Sequence, residues 1–190
     1  HGADYTAKGV YEDETTDFKI KEDEKTFDLQ TELRGKFNVS NIIAAVAAAR
    51  KLGIDWEDIK NGVRSLPQIP GRLEEVKNER GFKIYIDFAH TPDSLEKVLS
   101  YLGKKTKGKL ISVFGCAGER DVKKRPMMGG ISGKLADVSI FTAEDPRSEN
   151  VNKIIGQIAS GAKESGAIDM KLDPAHLDQS TRLQAPGARL

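Results

Sequence analysis

Three short polar stretches follow apolar runs in the second half of the chain. They are DFAHTPD (87–93), GCAGERD (115–121) and AEDPRSEN (143–150). Each combines carboxylates with an imidazole or guanidinium group, and the second has two glycines that let backbone amides approach a ligand. Arginine beside small residues suits bidentate binding of a carboxylate or phosphate. If the fold brings these stretches together, they predict a binding site for the anionic groups of a small molecule.

The elements around these stretches alternate between strand and helix. After Gly71 the apolar patterns predict strand, strand, helix, strand, helix, strand and helix, ending near Gly166. This alternation predicts an α/β fold with a doubly wound, mostly parallel sheet of the Rossmann-like type. In such sheets ligands bind beyond the carboxyl ends of the strands. All three polar stretches lie at those ends.

The first third of the chain has a different pattern. Residues 3–36 alternate apolar and polar residues in short runs, which predicts antiparallel strands of a β-hairpin. A buried helix then begins at Asn38 and ends before Gly53, and a second helix follows with Asp55 as its N-cap. The proline- and glycine-bearing stretch PQIPGR (67–72) marks a linker.

These patterns predict three parts of the chain. Residues 1–70 form a first part and residues 71–170 a second, α/β part. Residues 171–190 have neither helical nor strand periodicity, so we expect an irregular tail that a vector or a shifted reading frame could have added.

Composition excludes several classes of protein. The 190 residues are 38% hydrophobic and 31% charged, and the formal net charge is +1. This small charge gives no general attraction to nucleic acid or to a membrane. Cys116 is the only cysteine, so no intramolecular disulfide and no thiolate zinc cluster can form. No apolar run approaches the roughly 18 residues of a membrane span. We expect a cytoplasmic protein without a resident metal.

The residues alone leave alternatives open at each polar stretch. Asp87 can accept hydrogen bonds from sugar hydroxyls and His90 can contact a base or a phosphate, or both can satisfy loop amides while Thr91 caps a helix. Arg120 and the basic residues 123–125 can bind an anion or form a solvated helix start that the helix dipole disfavours. For Cys116, a packing role is favoured over a nucleophile because no general base is adjacent.

The last stretch also has two interpretations. Pro146 fixes a turn in which Arg147 can hold a carboxylate while Glu144 or Asp145 meets an amine. Alternatively, the segment is a capping network for the helix that begins at Val151, with Ser148 or Asn150 as the cap.

Five ordered motifs resemble those of the Mur ligase family, and within it the branch of UDP-N-acetylmuramoyl-tripeptide synthetases. The family pattern GxFNxxNxxAA is matched by GKFNVSNIIAA (35–45), and PGRLE follows at 70–74. The other three are DFAHTPDSLE (87–96), FGCAGERDVKKRPMMG (114–129) and the DPR of the third polar stretch. The resemblance runs from about residue 35 to residue 161. It implies that residues 1–70 are the C-terminal remnant of the family's central, ATP-binding domain and that residues 71–170 are a truncated C-terminal, amino-acid-binding domain.

The resemblance implies an ATP- and Mg²⁺-dependent amide ligase of peptidoglycan synthesis. ATP phosphorylates the glutamate carboxylate of UDP-N-acetylmuramoyl-L-alanyl-D-glutamate, and the amine of a diamino acid displaces the phosphate. It implies a nucleotide-binding group with these roles: Asn38 and Asn41 near the adenine, Arg72 at the phosphates, Asp87 on the ribose and His90 lining the same pocket.

The resemblance also implies an amino-acid site in which Arg120 and Arg147 bind the distal carboxylate beside Asp145. Relatives that add meso-diaminopimelate carry DNPR where this chain has DPR preceded by Glu144, so diaminopimelate is favoured over lysine. Ala117 and Glu119 replace smaller residues of the family pattern and add bulk near this site.

No GxxGK[ST] phosphate loop occurs in the 190 residues. We therefore expect no catalytic residue in this chain, no turnover by the chain alone and no tight binding of ATP or magnesium. The alternatives are a free-standing truncated module that binds a ligand or a protein without catalysis, and another branch such as a folylpolyglutamate synthetase, which the GCAGERD and DPR motifs disfavour. An unpaired sheet edge would favour a homodimer.

Overall fold

The fold is described from a computed structural model of the chain, in which residues 5–12, 15–169 and 181–184 are described. The chain divides into two compact units, with the division after Phe88. The sequence predicted a boundary after Pro70, and that division stays a prediction. We call the two parts the N-terminal and the C-terminal unit.

The N-terminal unit begins with a three-stranded antiparallel sheet instead of a single hairpin. Its strands are β1 (Tyr5–Glu12), β2 (Thr16–Glu22) and β3 (Lys25–Thr31), in the order β1-β2-β3. Along β2 the side chains alternate between buried and exposed positions, as period-two patterning requires. Helices α1 (Phe37–Lys51) and α2 (Trp56–Arg64) follow, and buried side chains of both join the core formed by the sheet.

Local signals explain where these two helices start and stop. Asp55 is the N-cap of α2, because its carboxylate accepts the backbone N–H of Asp58. Gly53 follows α1 with a φ of 82°. This left-handed conformation commonly ends a helix. A short antiparallel pair, β4 (Glu74–Val76) and β5 (Ile84–Ile86), completes the unit.

The C-terminal unit alternates helices and strands. Its elements are α3 (Pro92–Lys105), β6 (Ile111–Phe114), α4 (Lys124–Leu135), β7 (Val138–Phe141), α5 (Val151–Glu164), β8 (Ile168–Asp169) and β9 (Thr181–Gln184). The sheet order is β6-β7-β9-β8, with β6 and β7 parallel and β9 antiparallel to both of its neighbours.

The α/β class predicted from the sequence is confirmed, and the strand pairing differs in detail. β6 and β7 form the one parallel pair among the described strands. The strand expected before them, β5, pairs antiparallel with β4, because the short connection between these two strands permits a hairpin.

The predicted irregular tail is wrong at Thr181–Gln184. These residues form β9, which fills the space between β7 and β8. The sequence pattern of four residues is too short to reveal a strand whose pairing partners lie elsewhere in the chain. The remaining tail residues, 171–180 and 185–190, lie outside the described residues.

Two glycines allow α4 and α5 to pack at very short range. A Cβ atom added to Gly129 would lie 1.8 Å from the carbonyl oxygen of Ile158, and one added to Gly161 would lie 1.8 Å from that of Pro126. Both contacts are with backbone atoms, so a side chain at either position would push the helices apart. Beneath this contact the core includes Met128 and Ile158.

We predict opposite effects for two glycine-to-alanine changes on α5. Gly161→Ala lowers the free energy of unfolding by about 2 kcal/mol, because the new methyl group overpacks the helix contact. Gly156→Ala raises it by about 1 kcal/mol, because alanine favours the helix. A Cβ at Gly156 meets no atom within 4 Å. Urea denaturation followed by far-ultraviolet circular dichroism measures both. Equal effects of the two changes would contradict the close packing.

Candidate functional site

Two loops at the carboxyl ends of parallel strands form the candidate site in the C-terminal unit. The β6–α4 loop comprises residues 115–123, and the β7–α5 loop comprises residues 142–150. Because β6 and β7 are adjacent and parallel, their loops leave the same edge of the sheet. The second and third polar stretches of the sequence are therefore neighbours in space, as the sequence predicts.

Glycine residues of the first loop lie directly against the backbone of the second. The amide of Gly118 donates to the carbonyl of Asp145 at 2.7 Å, and a Cβ on Gly118 would lie 1.9 Å from the carbonyl oxygen of Pro146. A Cβ on Gly115 would lie 2.4 Å from the carbonyl oxygen of Thr142. The small residues of this stretch thus allow contact between two loops.

Arg125, in the first turn of α4, is completely buried behind these loops. Its Nη1 donates to Oε2 of Glu149 at 2.9 Å and to Oε1 of Gln157 at 2.7 Å. Its Nη2 donates to Oε1 of Glu149 at 2.8 Å and to the carbonyl of Ala117 at 3.1 Å. One side chain therefore joins both loops to the helix that follows each of them.

The partner carboxylate is strongly stabilised in its charged form. Hydrogen bonds from Arg125 and from the backbone N–H of Glu119 lower the pKa of Glu149 from 4.5 to about 2, since such bonds favour the ionised carboxylate. The hydrogen bond with Glu149 in turn raises the pKa of Arg125, although burial opposes that shift. Arg125 is the buried partner of this ion pair and the Glu149 side chain is 21% exposed, so the interpretation of Arg125 as part of a solvated helix start is wrong.

A second carboxylate links the same loops closer to the surface. Glu119, which has a φ of 54°, accepts hydrogen bonds from the hydroxyl and the backbone N–H of Ser148. Its own backbone N–H donates to Oε1 of Glu149 at 2.5 Å. The extra length of glutamate in the GERD sequence thus contributes a contact between the loops.

The three residues predicted to bind an amino acid lie on these two loops. Arg147 has a φ of 49° and its Nε lies 3.5 Å from Oδ2 of Asp145. The side chains of Arg147 and Asp145 are 34% and 63% exposed, and Arg120 is also exposed on the other loop. Two guanidinium groups and a carboxylate on adjoining loops can bind a zwitterionic amino acid that carries a further carboxylate.

The capping interpretation of the third stretch is also satisfied. Asn150 is the N-cap of α5 and accepts the backbone N–H of Lys153. Cys116 is buried with its sulfur 3.9 Å from the sulfur of Met128, and burial raises the pKa of its thiol. The packing role predicted for this cysteine is therefore supported over that of a nucleophile.

Asp87 and Arg72, two residues of the predicted nucleotide group, make contacts within the N-terminal unit. Oδ2 of Asp87 accepts the backbone N–H of Leu73 at 2.9 Å, so the loop-amide interpretation is satisfied by one carboxylate oxygen. The guanidinium carbon of Arg72 lies 5.4 Å from the centre of the Phe88 ring, within the range of a cation–π contact. The backbone N–H of Phe88 donates to the carbonyl of Gly71 at 2.8 Å, which joins the strand end to the linker.

The other members of that group lie on α1 and at the start of the C-terminal unit. Asn38 is buried and donates to the carbonyl of Arg34 at 2.7 Å, while the exposed Asn41 donates to Oδ1 of Asn38 at 3.0 Å. His90 is exposed, and its carbonyl accepts a hydrogen bond from Lys124. Thr91 and Ser94 form the capping box of α3, as the alternative interpretation of this stretch predicts.

Arg72 also lines a cavity of about 590 Å³ within the N-terminal unit. In its wall, Nη2 of Arg34 lies 2.5 Å from Oε2 of Glu75, and Nη1 of Arg34 donates to the hydroxyl of Tyr85. The cavity has a mixture of charges and its remaining lining residues are Thr15, Glu32, Leu33, Pro67, Gln68, Leu73 and Lys77.

In the parts of the chain that the structure describes, no group of three or more His, Cys, Asp or Glu side chains is arranged to hold a metal ion. None of the described helices is long and apolar enough to cross a membrane.

Sequence reasoning missed Glu149 and misplaced Arg125. Neither residue stood out, because a lone acid before one helix and a basic run at the start of another are common on protein surfaces. The available signal was that both residues follow adjacent parallel strands: Arg125 begins the helix after β6, and Glu149 lies in the loop after β7. Opposite charges there can meet inside the protein.

Comparison with known proteins gives one family and consistent relatives. The family model described as "Mur ligase, glutamate ligase domain" matches residues 71–181. A protein of Geobacter metallireducens named UDP-N-acetylmuramoyl-L-alanyl-D-glutamate–2,6-diaminopimelate ligase is 44% identical over 141 residues, which are 74% of this chain and 28% of that protein. The ligase 1 of the same name from Clostridium acetobutylicum is 49% identical over 131 residues, 68% of this chain and 27% of that protein.

The chain thus spans less than a third of the length of these two relatives. Among solved structures, MurF from Acinetobacter baumannii superposes with a TM-score of 0.66 at 19% identity, over 85% of this chain and 35% of that one. At this identity the similarity shows the fold alone.

We predict that Glu149→Gln reduces the acid sensitivity of the C-terminal unit. The low pKa of Glu149 stabilises the fold fully above about pH 4.5, and that contribution is lost as the pH falls toward about 2. The variant lacks this contribution, so it should be less stable than the parent near neutral pH and show a smaller loss of stability between those pH values. Thermal melts followed by circular dichroism across this range measure the difference.

The matched control is Glu164→Gln, an exposed position at the last residue of α5. It removes the same negative charge from the surface, so its melting temperature should depend on pH as that of the parent does. If Glu149→Gln also follows the parent at every pH, the ion pair of Arg125 and Glu149 does not contribute to stability.

Proposed function

The chain belongs to the Mur ligase family, and from this premise we propose that it is part of an ATP-dependent ligase that adds meso-diaminopimelate to UDP-N-acetylmuramoyl-L-alanyl-D-glutamate. The observation that carries the proposal is the 44% and 49% identity with two ligases named for that reaction. The pair of adjoining loops with Arg120, Asp145 and Arg147 supports it independently, because these side chains match an amino acid with an additional carboxylate.

The proposed reaction forms an amide bond in two steps. In the first step the glutamate carboxylate of the muramoyl dipeptide attacks the γ-phosphorus of ATP, the bond to the bridging oxygen breaks, and ADP leaves. Mg²⁺, held by the complete ligase, would offset the phosphate charges. The neutral amine of diaminopimelate then attacks the acyl phosphate carbon, the C–O bond to phosphate breaks, inorganic phosphate leaves, and the nitrogen releases one proton to solvent as the amide forms.

In this proposal the residues of the C-terminal unit bind and orient the diamino acid. Arg147 holds the distal carboxylate through a bidentate contact, with Arg120 adding a second positive charge. Asp145 accepts a hydrogen bond from an ammonium group of the substrate. Binding of these groups would fix the attacking amine relative to the acyl phosphate, which lowers the entropic cost of the reaction.

The nucleotide group is proposed from the family motifs. Asn41 and Asn38 lie near the adenine, Arg72 contacts the phosphates, and Asp87 binds the ribose through the carboxylate oxygen that Leu73 does not use. His90 is proposed as a further nucleotide-binding residue. None of these groups performs the chemistry itself, and the 190 residues contain no GxxGK[ST] sequence, so we propose that turnover and tight ATP binding require further sequence.

The second candidate is a free-standing module that binds a ligand without catalysis. It shares every motif of this chain, and the short span relative to the two relatives is compatible with it. A phosphate loop encoded in the same reading frame would exclude this candidate. For either candidate we propose the cytoplasm as the location, because the proposed substrates are nucleotides.

We expect the chain to bind meso-diaminopimelate and Arg147→Ala to weaken that binding to about the affinity that the parent chain has for L-lysine. A ligand that binds the folded state raises the melting temperature by mass action, so thermal shift and calorimetry both report binding. L-Lysine lacks the distal carboxylate and should bind more weakly than diaminopimelate to the parent chain, and about equally to the variant.

Two controls complete this titration. Arg64→Ala removes a positive charge from the exposed end of α2 and should leave diaminopimelate binding unchanged. Arg147→Lys keeps the charge but loses the planar fork, so it should recover only part of the affinity. Equal binding of diaminopimelate by the parent and Arg147→Ala would refute the role of Arg147, and no binding of either amino acid would refute the site in this chain.

We also propose that two copies associate through the outer edge of β6. Among the described strands β6 pairs with β7 alone, and Ile111 and Val113 are exposed on it. Unpaired edges of this kind favour association between chains. Light scattering should show a dimer at high protein concentration and a monomer for Val113→Lys, whereas a monomeric parent would contradict the proposal.

A further inference from the structure

The ion pair of the buried Arg125 and the partly exposed Glu149 joins the two loops that carry the proposed amino-acid site. We propose that these two residues are positioning residues: the pair sets the conformation of the β6–α4 and β7–α5 loops and thereby the orientation of Arg147 and Arg120. This inference rests on the proposed function. Neither residue needs to touch the substrate for this role.

The hydrogen-bond geometry of Arg125 leaves its guanidinium group one orientation. Four donor contacts are made, two to the carboxylate of Glu149, one to Gln157 and one to the carbonyl of Ala117. Its Nε is the one buried side-chain nitrogen or oxygen among the described residues that lacks a hydrogen-bond partner. A planar fork held at four points cannot rotate without breaking several contacts at once.

The ion pair is poorly explained by stability alone. Burying the guanidinium of Arg125 against the partly exposed carboxylate of Glu149 costs desolvation energy, and well-packed apolar residues often stabilise a core equally well. What apolar residues could not do is fix two loops by directed hydrogen bonds. The pair joins Ala117 in one loop to Glu149 in the other and to Gln157 on α5.

The effect of Glu149 reaches Arg147 through the backbone. The N–H of Glu149 donates to the carbonyl of Pro146 at 2.9 Å, which closes a turn around Arg147 and Ser148. Arg147 adopts a φ of 49° within this turn. Such a conformation costs a residue with a Cβ free energy and persists only where neighbouring contacts impose it. If Glu149 is released, this turn can relax and the guanidinium group of Arg147 loses its fixed position.

The carboxylate of Glu149 is directed into the protein. Oε1 accepts from Nη2 of Arg125 and from the N–H of Glu119, and Oε2 accepts from Nη1 of Arg125. These contacts distinguish Glu149 from Asp145, whose side chain is 63% exposed on the same loop. A loss of binding in Glu149 variants would therefore act through the loops.

A double-mutant cycle with Arg147 tests the inference in the 190-residue chain. The probes are meso-diaminopimelate and L-lysine, and the variants are Glu149→Gln, Arg147→Ala and the double variant. We expect Glu149→Gln to weaken diaminopimelate binding by about tenfold to a hundredfold, as small displacements of binding groups can, and lysine binding much less. In the Arg147→Ala background Glu149→Gln should have no further effect.

The structural control is Ser139→Ala. Ser139 and Ser132 share a hydrogen bond of 2.7 Å in the core of the C-terminal unit, away from both loops. Loss of this hydrogen bond in Ser139→Ala should lower the melting temperature while leaving the ratio of diaminopimelate to lysine affinity unchanged. Independent, additive losses from Glu149→Gln and Arg147→Ala, or a ratio that Glu149→Gln leaves unchanged, would overturn the inference.

Amide hydrogen exchange tests the same clamp without a ligand. The amides of Gly118 and Glu119 are bonded across the two loops. They should exchange faster in Glu149→Gln, while the amides of Ile155 and Ile158 within α5 keep the parent rate. Unchanged exchange at Gly118, or equal acceleration at all four positions, would show that the pair does not hold the loops specifically.

Hydrogen exchange tests the positioning role of Arg125 and Glu149 separately from the proposed amino-acid site. If the parent chain binds neither amino acid, the proposed site fails in this chain, and the exchange rates still decide whether Arg125 and Glu149 hold the loops. Arg125→Lys should behave like Glu149→Gln in exchange, because a single ammonium group cannot make the four directed contacts. Full protection of Gly118 in Arg125→Lys would contradict the proposed geometry.

Discussion

A guanidinium group can leave water only where other acceptors meet its N–H groups. Arg125 satisfies this condition at Nη1 and Nη2 with a carboxylate, a side-chain amide and a backbone carbonyl, drawn from both loops and from α5, and only its Nε lacks a partner among the described residues. Because an unpartnered buried charge is far more costly than a paired one, the two loops and the two helices that follow them must adopt compatible positions. The edge of the sheet where β6 and β7 end is organised around this requirement.

The same edge depends on close contact between backbones. Gly118 lies against Pro146, and Gly129 and Gly161 let α4 and α5 approach at short range. The helices need this proximity because Arg125 on α4 must reach Gln157 on α5. Directed hydrogen bonds and the absence of side chains at a few glycines therefore act together. The charged groups of Arg120 and Arg147 are exposed at the surface of this closely packed edge.

In the N-terminal unit, carboxylates also stabilise the fold by accepting hydrogen bonds. Asp87 also follows a strand, yet one oxygen of its carboxylate accepts the N–H of Leu73, whose φ of 45° belongs to the same turn as Gly71. A carboxylate at a strand end can thus stabilise a loop and still present its second oxygen. Glu22 has a comparable structural role, because hydrogen bonds from Tyr5, Trp56 and Arg50 lower its pKa to about 2.

The sequence by itself determined the features that depend on neighbouring residues. The alternation of strands and helices after residue 71, the caps at Asp55 and Thr91, and the position of the polar stretches at strand ends were all predicted, because periodicity and capping are local. The motifs also identified the family, which the match over residues 71–181 confirms. Tertiary structure alone decided that Thr181–Gln184 pair with β7 and that Arg125 meets Glu149, 24 residues away. Neither short segment differs locally from an irregular tail or a solvated basic turn, so the partner that each one meets in the folded chain sets its role.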